Sequence, residues 1–181
     1  MRVPIRGVVS LASLALAVGM LAVMAQERTI DDFFKAFSDE WVRADPDLAA
    51  ATRYFSGAEQ DQFERELTPR TQEWRQQRVQ LARRGLERLR QFDRESMNDT
   101  QRVSADVMRW LLEMVVEGEP YSDYRFPFDQ FAGINVLLPN TFTVVHVVGS
   151  QRDAENYVAR LGQVAARVGE GMTETERLAG E

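Results

Sequence analysis

The chain of 181 residues has no cysteine, one histidine and one lysine. Without cysteine there is no disulfide, no thiolate metal site and no lipid-modified N-terminus, which needs a thiol. A structural or catalytic zinc site usually takes three or four His, Cys, Asp or Glu ligands, and a His-Glu-x-x-His helix cannot be written with His146 alone. No Gly-x-Ser-x-Gly turn and no phosphate-cradling glycine loop is present. Basic residues number 22 against 28 acidic ones, so an excess of positive charge is also missing. That balance argues against nucleic acid and anionic membrane surfaces as partners. Lys35 is the lone lysine beside many arginines, a bias that carries little functional weight.

One long hydrophobic run is present, at the N-terminus. Arg2 and Arg6 precede an apolar stretch from Val8 to Met24, and Val23-Met24-Ala25 offers a cleavage point. This is the three-part layout of a secretory signal peptide. Residues 1–25 are therefore expected to be a signal peptide, and residues 26–181 a helical domain. The run is longer than the usual signal core of about 7–15 residues and touches the lower limit for a membrane-spanning helix. An uncleaved N-terminal anchor and a buried helix are the rival readings. The expected location is periplasmic or secreted, with membrane attachment only if the signal stays uncleaved. Without its first 25 residues, which hold two basic and no acidic side chains, the chain carries 20 basic against 28 acidic residues, a net charge of −8. With no disulfides, an exported domain of that kind must be stable through its core.

Periodicity points to an all-α fold, with amphipathic helices packed in a bundle-like layer and one long irregular segment. The first helix is expected from Thr29 to Ala44, with Thr29 as cap, Asp31 and Asp32 in its first turn, and Ile30, Phe33, Phe34, Phe37 and Trp41 on one face. Asp45-Pro46 ends it, and a short helix over Pro46–Thr52 follows, before a loop opening at Tyr54, Phe55 and Gly57. A long helix is expected over Thr68–Asp93, capped by Thr68, with Leu81, Ala82, Leu86, Leu89 and Phe92 buried. Its many arginines read as a solvated face, with an anion site as the sharper alternative. Val103, Val107, Trp110, Leu111, Met114 and Val115, in a helix from Asn98 or Asp99 to Glu117, form the cleanest amphipathic pattern, of the kind that normally faces a core. A further helix starts after Ser150 with Tyr157, Leu161, Val164 and Val168 on its face; Gly169 and Gly171 weaken it, and a final stretch begins near Thr173.

The irregular segment runs from Glu119 to Gly149. Segments this long usually have a job or pack on themselves. Its aromatic part, Tyr121 to Phe131, reads as structural packing or as a substrate-facing or interdomain surface. Thr141 to Val148 is β-branched, but a lone strand has nothing to pair with, so a short helix or extended piece is expected. His146 sits within Val144–Val148, where a packed histidine with one hydrogen bond is the plain reading and a hydrolytic base beside a carboxylate the sharp one. The pairs Asp31/Asp32, Asp39/Glu40 and Asp45/Asp47 fall at helix ends or polar faces, where carboxylates cap or solvate. No catalytic, cofactor-binding or metal residue is nominated.

The order of features resembles the bacterial family called "domain of unknown function 885". The residues that carry it are the aromatic first helix ending in Asp45-Pro46, then Ala51-Thr52, and the Arg- and Leu-rich helix ending in Phe92-Asp93. Asp106, Trp110 and Leu111 follow, with Tyr124 to Phe128, Asp129-Gln130-Phe131-Ala132-Gly133, Leu137-Leu138-Pro139 and Asn156-Tyr157-Val158-Ala159-Arg160-Leu161. The resemblance implies a mostly helical fold related to zinc-dependent peptidases, with a His-Glu zinc motif in a C-terminal half. No position here matches that motif. Zinc is therefore expected only with the C-terminal half, which would be the partner of this chain, and a peptide would be the substrate. The polar stretch Thr173 to Glu181 reads as an interrupted frame. The chain is then expected to be the N-terminal helical part of an exported metallopeptidase-like hydrolase, inactive alone. The alternative is a self-contained extracytoplasmic helical binding module.

Overall fold

The computed structural model describes residues 29–180, and the signal region lies outside them. Eight α-helices and no strand occur among the described residues. The fold is all-α. None of these helices is long and apolar enough to cross a membrane.

Helix α1 (Ile30–Arg43) is fixed at its start by a capping box: Thr29 Oγ1 accepts from the Asp32 N–H, and the Asp32 carboxylate accepts from the Thr29 N–H. Helix α2 spans Pro46–Thr52 with Pro46 in its first turn, as expected from the sequence, and Asp45 caps it. The loop expected after Tyr54 is instead the short helix α3 (Gly57–Phe63), which turns Gln60 and Phe63 inward.

The long second helix is shorter than its sequence suggests. Helix α4 spans Gln72–Leu89 and is capped by Thr71, not Thr68. Thr68 is buried: its hydroxyl donates to Asp45 Oδ1 at 2.6 Å and accepts from the Asp47 N–H at 2.9 Å. A tertiary partner has claimed the side chain that would have capped. Asp93 closes the other end by capping a 3₁₀ turn at Arg94–Ser96.

Helix α5 (Asp99–Glu117) begins at Asn98 with a second capping box, through Gln101. The principal core lies among α1, α4 and α5. It holds Ile30, Phe33, Phe37, Leu81, Ala82, Leu86, Leu89, Met97, Ala105 and Leu112. Gly85 allows the close approach, since a Cβ there would overlap the Phe37 ring and lie 2.9 Å from Leu112 Cδ1.

The expected core row of α5 faces the wrong way for this packing. Val103 is 63% exposed and Trp110 59%, with Val107, Leu111 and Met114 also exposed. Ala105 and Leu112 are the residues that α5 buries, helped by Met108, Val115 and Val116. The helix has a broad apolar girth, and its less apolar side won the contact with α4.

The segment 119–149 is more ordered than expected. It contains a 3₁₀ helix at Glu119–Tyr124, the helix α6 (Ile134–Asn140) and a π turn at Thr141–Val145. Helix α7 (Gln151–Leu161) starts at the Ser150 cap. The chain breaks at Gly162, and α8 (Val164–Ala179) then runs unbroken through Gly169 and Gly171. Gly171 is a packing site: a Cβ there would strike Ile134 and lie 3.1 Å from the Phe128 ring. Leu67, Ile134 and Leu138, with Phe142, Val164 and Val168, form a separate core beneath α6 and α8. Val42, Ala49 and Phe63 form a third.

Candidate functional site

A polar seam joins these cores. Arg160 and Asn156, one turn apart on α7, are 1% and 0% exposed. Arg160 Nη2 donates to Asp47 Oδ1 at 2.5 Å and Nη1 to His146 Nδ1 at 3.2 Å. Asp47 also takes a bond from Arg70 Nη2 at 3.2 Å. Asn156 Oδ1 accepts from Arg65 Nε at 2.8 Å, while its amide nitrogen donates to Asp61 and Glu64. Further along, Gln163 links both directions of the chain: its Oε1 accepts from the Leu67 N–H and its Nε2 donates to the Arg65 carbonyl. Arg75 and Arg177 both hold Glu174.

His146 is part of this seam. Its Nε2 lies 3.1 Å from the Asp153 carbonyl oxygen, and its Nδ1 faces the Arg160 guanidinium. An arginine can only donate and a carbonyl can only accept. Nε2 therefore carries the hydrogen and Nδ1 is the acceptor. Both nitrogens are occupied by structural partners, and the ring packs edge-on to Tyr157. The two-bond arrangement exceeds the single bond expected and leaves no nitrogen to activate a nucleophile.

The carboxylate pairs singled out in the sequence are also bonded. Asp31 accepts from Gln101 Nε2 and Asp32 caps α1; Glu40 meets Arg84 and Arg88. Where titration is displaced, it moves down. A hydrogen bond from Arg177 holds Glu174 low, one from Lys35 holds Asp39 low, and one from Arg94 holds Asp106 low. Backbone N–H groups of Ala132 and Gly149 do the same for Asp129 and Asp153. A general acid at neutral pH needs the opposite displacement. Among the described residues no group of three or more His, Asp or Glu side chains could hold a metal ion.

Two of the concave surfaces among the described residues have largely apolar walls. A groove of about 680 Å³ lies between α1 and α5, over Phe34, Phe37 and Trp41 on one side and Val103, Val107 and Leu111 on the other. The two helices start side by side, joined by the Gln101–Asp31 hydrogen bond of 2.8 Å. Trp110 and Met114 carry the apolar surface of α5 beyond the groove. The second is an open pocket of about 900 Å³ between the start of α4 and the segment 124–137.

Residues 50–179 match the family described as bacterial protein of unknown function, DUF885. The chain belongs to this family. No curated protein and no solved structure matched it. Within the DUF885 match, Asn156 and Arg160 are the buried centre of the seam. Their importance has a weak sequence signal, two polar residues four apart on the inner face of a helix whose apolar pattern is thin. The arginines of α4 and its C-cap divide: Arg83, Arg84 and Arg90 are exposed, as a solvated face, whereas Arg78 stacks on Trp41 at 3.5 Å and donates to its carbonyl, with its pKa lowered by burial.

Proposed function

We propose that this DUF885 chain is the N-terminal helical part of an exported metallopeptidase-like hydrolase, and that it is inactive alone. The observation that carries this reading is the outward apolar row of α5, continuous with the aromatic side of α1 along the groove. Monomeric soluble proteins rarely leave so long an apolar face in water, and such faces are where partners dock. In this reading the face meets a catalytic part that brings the His-Glu zinc motif, and the helical layer shapes a wall of a peptide cleft. The 1–25 segment directs export.

The chain incubated with zinc and a peptide mixture is expected to show no hydrolysis. Mixed with a chain carrying the His-Glu half of a DUF885 protein, it is expected to bind, and the double change Trp110→Ser with Leu111→Ser to weaken that binding about tenfold. Zinc-dependent hydrolysis by the chain alone would sink the reading. A self-contained binding module would use the same groove, for which its apolar walls on two long helices speak. That alternative gains if no catalytic half binds while the isolated chain unfolds cooperatively without binding apolar dye.

A further inference from the structure

The pocket between the start of α4 and the segment 124–137 has an uneven stock of hydrogen-bonding groups. Three arginines line it, Arg70, Arg75 and Arg125. Each can donate five hydrogen bonds. Arg70 spends one on Asp47 and Arg75 one on Glu174. The Arg125 side chain makes no hydrogen bond or ion pair with any described residue. The side chains able to accept are fewer: Asp129, Gln130 and Tyr124. Asp129 is the one carboxylate in the lining, and its Oδ1 is taken by the N–H groups of Phe131 and Ala132 at 2.6 and 2.7 Å. The first turn of the 18-residue helix α4 also opens here, and its dipole adds positive potential. Between the cations the walls are apolar: Trp74, Phe126, Ile134 and Leu137. Trp74 Nε1 already donates to the Ala44 carbonyl, so its ring is left to the pocket as an apolar surface.

We infer that this pocket binds a carboxylate carrying an apolar body. The carboxylate pairs with Arg125 and draws on the spare N–H groups of Arg75, in the forked geometry that arginine offers. The body lies against Trp74 and Phe126. A peptide's C-terminal residue and a free aromatic acid both have this chemistry. The inference rests on the pocket lining and not on the hydrolase reading. The groove of α1 and α5 involves other residues, so failure here would leave the proposed docking of a catalytic part untouched.

The test titrates the full chain, followed by calorimetry and by amide chemical shifts, with three probes: N-acetyl-alanyl-phenylalanine as the free acid, the same peptide as its C-terminal amide, and 3-phenylpropionate. The acid is expected to bind one to one, and the amide about tenfold more weakly. Arg125→Gln is expected to lower affinity for the acid by about the same factor, Arg125→Lys by less, and Arg102→Gln, at a distant exposed pair, not at all. Tighter binding of the peptide acid than of 3-phenylpropionate assigns the site to peptide C-termini; equal binding assigns it to free aromatic acids. Equal binding of acid and amide, no binding of either acid at about millimolar concentration, or unchanged affinity in Arg125→Gln overturns the inference.

Discussion

Asp47 has the most at stake among the charged residues, because its partner Arg160 is 1% exposed. Removing one member of such a pair leaves a buried charge without compensation, which costs about 3–5 kcal/mol. Asp47→Ala is therefore expected to lower the unfolding free energy by about 3 kcal/mol or more in urea titration. Glu40→Ala also removes two arginine contacts, but at a half-exposed carboxylate, and should cost under about 1 kcal/mol. Equal effects would remove the special standing of the seam. Two glycines of α8 give a second contrast. Alanine is favoured over glycine in a helix by about 1 kcal/mol. At Gly169 nothing lies within 4 Å of an added Cβ, so Gly169→Ala should stabilise. At Gly171 the added methyl meets Ile134 and Phe128, and overpacking costs about 1–3 kcal/mol, so Gly171→Ala should destabilise. Thermal melting of the two variants checks the sign of each.

At the scale of elements, most helix starts were readable, and so were the buried faces of α1 and α4, whereas the face of α5 was not. Thr29 caps as expected, and the starts expected at Pro46, at Asn98 or Asp99 and after Ser150 are found, with Asp45, Asn98 and Ser150 as their caps, because capping is settled within four residues. Thr68 failed because Asp45 and the Asp47 N–H, more than twenty residues away, reached its hydroxyl. The 119–149 segment hid its short helices for a different reason: six- and seven-residue pieces hold too few turns to show a period. Its Asp129 turn is pH-dependent. Backbone N–H groups of Ala132 and Phe131 hold the Asp129 carboxyl below the ordinary aspartate value of 3.8. A depressed carboxyl stabilises above the unfolded value and loses that contribution as pH falls through the folded one. The turn is thus expected to be intact at neutral pH and to loosen only below about pH 4. Amide exchange at Phe131 and Ala132, measured down the acid range, reads this directly; loosening between pH 5 and 7 would contradict it.

At the scale of the whole molecule, the orientation of α5 decides what surface is offered to a partner. Leu111 and Leu112 are adjacent, yet Leu111 is 50% exposed and Leu112 3%. Leu112→Ala should cost about 2–5 kcal/mol by opening the core. Leu111→Ser should stay within about 0.5 kcal/mol and reduce the binding of an apolar dye. A reversed order would mean that α5 is rotated. No candidate site was legible in the residues, since Asp47, His146 and Arg160 are far apart in sequence and their meeting depends on how α7 lies beside α2. Of the pocket arginines, Arg70 and Arg75 were legible only as part of a charged helix, and Arg125 not at all.

The sequence by itself determined the helical class, most of the helix starts, the buried faces of α1 and α4 and the absence of disulfides. Each of these follows from composition or from neighbours within a turn or two. Only the tertiary structure decided which apolar row of α5 is buried, which threonine caps and which arginines are left with spare donors. Those outcomes depend on partners about 20 to 100 residues apart, and a period of 3.6 says how apolar residues align along a helix but not what the aligned face will meet.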